Sequence, residues 1–192
     1  YSIGRLLTPV WKIQNATLVD PTRKAPSIGD LWISDGKFVA APEIPKPSQI
    51  FDASGLIVMP GGIDMHSHFV GPKVNAARQL NARTEFFTGD IATDDSRPFV
   101  PHLQETGWRY AGLGYTTAFD AAVPPAYAHE ALTELQALPC VDAGFFALAG
   151  NHQYLLQSVQ DEDQERVTQF LQSVIFKPGA WAAKVVNPGG VE

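Results

Sequence analysis

The sequence predicts an α/β chain in which a small β-rich lead-in precedes a run of alternating strands and helices. Three observations carry this prediction. Residues 1–60 hold short β-branched and aromatic runs broken by turn signals, and from Gly61 onward strand and helix patterns alternate. Composition agrees: 45% of the 192 residues are apolar, enough for a packed core, while 15 prolines and 16 glycines imply many short connections. We read 1–60 as a β-sandwich-like domain and 61–192 as the first four βα units of an eightfold barrel.

Within the lead-in, β-type residues run over 10–15 and 16–19, and Pro21-Thr22 closes the stretch. Leu31-Trp32-Ile33-Ser34 and Lys37-Phe38-Val39 flank Asp35-Gly36, a hairpin signal because both turn positions need positive φ. Further strand material follows at 50–52 and 56–59, after Pro42, Pro45 and Pro47. In the second part, strands are expected over 63–70, 114–120, 144–149 and 181–187. Helices are expected over 74–83, 103–113, 125–138 and 162–176. Pro125 suits a helix N-terminus, and Asp161 with Gln164 three residues on forms a capping box. The long stretch 84–101, with Asp90, Asp94 and Asp95, reads as a solvated insertion or as a loop over substrate.

The net charge of −6 comes without any Lys/Arg cluster, which excludes the basic face a nucleic-acid binder needs. Apolar runs such as 141–149 are too short to span a bilayer. A single cysteine excludes an internal disulfide framework and suits a reducing cytoplasm. Cys140, beside Pro139, reads as a small buried filler. The chain starts at Tyr1 and stops just after a glycine pair, so a fragment of a longer protein is expected.

Chemistry concentrates in Pro60-Gly61-Gly62-Ile63-Asp64-Met65-His66-Ser67-His68. Residues two apart on a strand share a face, so Asp64, His66 and His68 are expected to point one way. Two imidazoles at the C-terminal end of a barrel strand can bind one divalent metal, zinc being the usual choice for nitrogen ligands. Asp64, one step deeper, would accept a hydrogen bond that orients the strand or a ligand. The glycines before it would let the backbone turn sharply. Two solvent-facing histidines are the plainer alternative.

This nonapeptide, with its lead-in Phe51-Asp52-Ala53-Ser54-Gly55-Leu56-Ile57-Val58-Met59, resembles the first-strand motif of the amidohydrolase superfamily. An ordered series narrows the match: Gly71-Pro72-Lys73-Val74-Asn75, Thr106-Gly107-Trp108-Arg109-Tyr110, Gly114-Tyr115-Thr116-Thr117, Gly150-Asn151-His152 and Val186-Asn187-Pro188-Gly189-Gly190. Together these resemble the A subunits of formylmethanofuran dehydrogenases and their bacterial formyltransferase/hydrolase counterparts. The resemblance implies hydrolysis of N-formylmethanofuran to formate and methanofuran, zinc as cofactor with two ions expected, and partner subunits in a complex. Lys184 lies inside the apolar strand Ala182-Ala183-Lys184-Val185-Val186, where burial would favour a neutral amine able to add carbon dioxide. In the resembled family the lysine at this position is carboxylated and bridges two metals, so the metal ligands expected here are His66, His68 and Lys184.

Weaker candidates lie on the same rim. Lys73 and Asn75 would contact an anionic or amide-bearing cofactor. Asn151 and His152 would contact substrate or support a metal, or simply cap a helix beside a surface imidazole. His102 and His129 are read as solvated. Two alternatives stay open: another amidohydrolase of the dihydroorotase or cyclic-amidase kind, and an assembly subunit that keeps the fold without the chemistry.

Overall fold

The computed structural model describes residues 9–22, 24–41, 47–80 and 100–186. The acidic stretch containing Asp90, Asp94 and Asp95 and the Asn187-Pro188-Gly189-Gly190 end lie outside them. The chain divides into two compact units, Tyr1–Pro60 and Gly61–Glu192.

In the first unit, β1 (Trp11–Leu18) is the hub of one five-stranded mixed sheet. It pairs antiparallel with β2 (Ser27–Ser34), and parallel with β4 (Gln49–Asp52) and β5 (Ile57–Val58); β3 (Lys37–Val39) closes a hairpin on β2. The Asp35-Gly36 turn is left-handed at both positions, with φ of 51° and 69°. Where two short runs were expected, at 10–15 and 16–19, one strand carries a bulge. Gln14 and Asn15 face the single partner position Asp30, and Asn15 takes a φ of 62° that asparagine tolerates. Its backbone N–H donates to Asp30 Oδ1 at 3.0 Å and its side-chain amide to Asp52 Oδ1 at 3.2 Å.

The expected sandwich meets a single sheet among the described residues, because β1 serves as the common ladder partner for β2, β4 and β5. The buried cluster is small, Ala16, Leu18 and Ala53, while Ile28, Phe38 and Ile57 stay exposed.

The second unit alternates strand and helix. Its four strands, β6 (Gly62–Ser67), β7 (Tyr115–Val123), β8 (Asp142–Leu148) and β9 (Ala182–Lys184), form one parallel sheet in that order. Helices α1 (Pro72–Leu80), α2 (Leu103–Gly112), α3 (Ala128–Gln136), α4 (Gln153–Gln160) and α5 (Gln164–Phe170) lie between the strands in sequence. This is the arrangement of the first half of a (β/α)8 barrel. Ala118, Phe145 and Ala147 share a buried cluster with Ala128, Ala131 and Leu135 of α3, so this face of the sheet is the one covered by helices. The opposite face carries Phe119 stacked on Phe146, with ring centres 5.1 Å apart and Trp181 edge-on to Phe119.

Three local expectations change. The helix expected over 162–176 begins at α5, and α4, which was not expected, precedes it across a turn in which Glu162 has a φ of 56°. The cap is therefore Asp163, which accepts from Arg166 N at 3.0 Å, and not Asp161. Leu171–Phe176 continues α5 as a π-helical turn. Cys140 is exposed in the turn before β8, at a φ of 65°, and fills no core.

Acid should loosen the first unit. Asp30 and Asp52 are held below the ordinary carboxylate range, Asp30 chiefly by its bond to Lys12 and then Asn15, Asp52 by Ser54 and then Asn15. A lowered folded-state value means stability that is present at neutral pH and lost as pH falls through the folded values. Thermal unfolding of the wild type should therefore drop more steeply in acid than that of the double variant Asp30→Asn/Asp52→Asn, which should show a flatter profile.

Candidate metal centre

The site forms where the C-terminal ends of β6 and β9 come together. Gly61 and Gly62 bring β6 close to β7: a Cβ on Gly61 would collide with the Thr116 side chain, and one on Gly62 would fall 2.8 Å from Tyr115 Cδ1. Close strand approach, and not the sharp turn expected from the sequence, is what these glycines permit.

Past them the strand does not keep a strict alternation. Asp64 pairs with Ala118 and Ser67 with Asp120, so Met65 and His66 together oppose Phe119. That is a β-bulge, and it flips the side-chain parity. Asp64 lies with Ala118 on the helix-covered face, where Tyr110 of α2 donates to its Oδ2 at 2.7 Å. His66 emerges on the opposite face, and Lys184 Nζ lies 3.4 Å from its Nε2. The expectation that Asp64 and His66 share a face fails because the bulge inserts one residue between them.

His68 follows the strand end. Its ring lies edge-on to that of His66, with centres 5.5 Å apart, and its Nδ1 is 3.8 Å from Asp120 Oδ1. Asp120 is 1% exposed, and its carboxylate takes three backbone donors. Oδ2 accepts from Phe69 N at 2.8 Å and Val70 N at 3.0 Å, and Oδ1 from Ala122 N at 3.1 Å. A buried carboxylate needs such partners.

Glu134 of α3 continues the same work, accepting from Gly71 N at 3.2 Å. Three successive amides after His68 are thus held by two carboxylates, while Arg78 donates to Phe69 O at 2.8 Å. Burial lowers the Arg78 pKa, opposed by the Glu134 charge. The Tyr127 phenol is kept protonated chiefly by its 2.6 Å bond to Glu134 and then by burial. The Tyr110 phenol is kept protonated first by burial and also by Asp64, with a bond to Ser67 pulling the other way.

His66, His68 and Lys184 are therefore brought together. Asn75 is not among them: its amide donates to Glu134 and Tyr127, and its oxygen accepts from Arg78. Lys73 is exposed on α1. Asn151 is exposed and His152 half-buried in the loop after β8, next to β9 because Ala149 N and Gly150 N both donate to Lys184 O. The His152 ring packs on Phe170 at 4.5 Å, and its buried Nδ1 has no partner among the described residues.

Sequence reasoning assigned no role to Asp120, Tyr110 or Glu134. Asp120 alone carried a usable signal, a carboxylate inside the apolar run Ala118-Phe119-Asp120-Ala121-Ala122, which demands buried partners.

The donor set suits zinc, since two imidazoles approach one another from a single strand end. Among the described residues no group of three or more His, Cys, Asp or Glu side chains is arranged to hold a metal, so the two histidines need further ligands. Also among them, no helix is long and apolar enough to cross a membrane.

Replacing Asp120 should be severe. Asp120→Ala strands three backbone N–H groups, and urea unfolding should show a loss of about 3 kcal/mol or more, with Asp120→Asn recovering part of it.

Comparison with known proteins matches residues 49–167 to the amidohydrolase family. The chain is 35% identical over 93% of its length to FhcA, the A component of the formyltransferase/hydrolase complex Fhc of Methylorubrum extorquens, covering 33% of that protein. It is 34% identical over 85% of its length to protein FwdA of Methanocaldococcus jannaschii, covering 29% of it. Its fold superposes with a TM-score of 0.77 on a chain of the M. extorquens FhcABCD complex crystallised with methylofuran, at 34% identity over 94% of this chain and 33% of that one. The chain thus spans about a third of the length of the relatives it matches.

Proposed function

Because the chain belongs to the amidohydrolase family, we propose that it contributes the first metal ligands of a hydrolase that cleaves the formyl C–N bond of an N-formylmethanofuran-type carrier, releasing formate and the free amine. One observation carries the reading: Lys184 Nζ stands 3.4 Å from His66 Nε2, with the His68 ring beside it. Side chains 118 residues apart meet at the end of the sheet where barrel enzymes place their chemistry. Likeness to FhcA over most of the chain supports the formyl substrate and the assembly with formyltransferase/hydrolase partner subunits. The single Cys140 supports a reducing cytoplasm.

In this reading His66 and His68 would hold zinc through ring nitrogens, with two ions expected at the complete site. Asp120, close to the Nδ1 edge of His68, leaves Nε2 of that ring for the metal. The Lys184 amine would add to carbon dioxide: an N–C bond would form, one amine proton would leave to solvent, and the resulting carbamate would serve as the third ligand beside the two histidines. Bound zinc supplies Lewis acidity toward the formyl carbonyl and toward water. Lys73, Asn151 and His152 are the candidate substrate contacts. Asn75, the fourth expected contact, would act from within the Glu134 network that braces the loop after His68.

Two measurements on the full-length protein test this. Assayed against N-formyl amines and cyclic imides, it should hydrolyse the formyl amines; turnover of cyclic imides alone would favour a dihydroorotase-like reading. His66→Ala and Lys184→Ala should each lose bound zinc and lower hydrolysis by more than the roughly 100-fold seen when a residue merely orients a ligand. Lys184→Ala should regain some activity with added short carboxylates. Full zinc content and full activity in Lys184→Ala would remove the carbamate from the scheme.

A further inference from the structure

The bulge in β6 exists for a reason that its hydrogen bonds reveal. His66 N does not continue the ladder to β7; it donates to Asp64 Oδ1 at 2.9 Å, closing a turn through a side chain two residues back. Such a turn supplies an acceptor for the amide that the bulge releases. The carboxylate is held from its other oxygen. Tyr110 OH donates to Asp64 Oδ2 at 2.7 Å, and Ser67 Oγ, just past the bulge, reaches the same phenol at 2.5 Å. Tyr110 is itself packed against Tyr115 at 5.4 Å and Phe69 at 6.1 Å. The bulge is therefore fastened on both sides to α2.

Its consequence is geometric. With unbroken alternation His66 would share the helix-covered face with Asp64, turned away from Lys184. With the bulge, His66 faces Lys184.

We infer that Asp64 is a positioning residue for His66: its Oδ1 closes the bulge that turns the imidazole onto the Lys184 face, and Tyr110 locks that carboxylate in place. The inference rests on the reading of His66 as a metal ligand. It assigns Asp64 no contact with substrate or metal. What it requires is an acceptor atom at the right bond separation from the backbone, not a negative charge. Asparagine keeps that atom and loses the charge; glutamate keeps the charge but moves the acceptor out by a methylene.

The test is zinc affinity of the full-length protein by chelator competition, with the visible spectrum of the cobalt-substituted protein as a second readout. Asp64→Asn should bind within about threefold of wild type and keep its cobalt spectrum, whereas Asp64→Glu and Asp64→Ala should weaken zinc by about 10–100-fold and alter the spectrum. Tyr110→Phe keeps the ring packing, so it remains informative if an Asp64 variant fails to fold. It should weaken zinc by at least about threefold. Wild-type affinity in Asp64→Glu or Tyr110→Phe overturns the inference, as does an Asp64→Asn variant as weak as Asp64→Ala. If the wild type itself takes up no zinc, the metal reading falls, and this inference falls with it.

Discussion

Aspartate side chains that accept backbone amides where a ladder breaks are the interaction on which the second unit depends. A barrel strand must stop pairing at its C-terminal end so that the chain can leave the sheet with functional side chains exposed. The amides freed there need new acceptors, and leaving a buried one unpaired costs about 1–3 kcal/mol. Asp64 receives His66 N, and Asp120 receives Ala122 N, each acceptor two residues before its donor and each at a register break. Asp30 and Asp52 do related work around Asn15 in the first unit.

Asp120 extends this device from its own strand to its neighbour. By taking Phe69 N and Val70 N it ties the segment after His68 to β7, and Glu134 ties Gly71 to α3. The segment is short and its amides are paired, so the second imidazole stands on a rigid support. Rigidity of this kind is what two ligands from one strand need if both are to meet one metal. The two faces of the sheet divide the labour. Small and aromatic side chains pack against helices on one, while the aromatic stack, His66 and Lys184 occupy the other. Family membership and the likeness to FhcA then give this geometry a chemical setting, over about a third of that relative's length.

Several features were legible because they depend on residues close in sequence. The Asp35-Gly36 turn follows from two positions that must take positive φ. Alternation of strands and helices after Gly61 follows from the period of the apolar residues. Less legible were features set by a distant partner or by a left-handed turn. Asn75 looks like a rim residue available to substrate, yet Glu134, 59 positions away, engages its amide. Helix α4, absent from the expected elements, is set off from α5 by a left-handed Glu162 that no propensity favours, and Cys140 is carried to the surface by a turn of the same kind.

The sequence by itself determined the class of fold, the motif around His66 and His68 and the candidate role of Lys184, because residue type and short spacing carry those. Only the tertiary structure decided which face His66 occupies and what holds His68. Those outcomes rest on a one-residue register slip and on carboxylates from other elements: a two-residue period read along one strand is silent about where its ladder breaks, and a donor cannot be matched to an acceptor 50 residues away until the chain has folded.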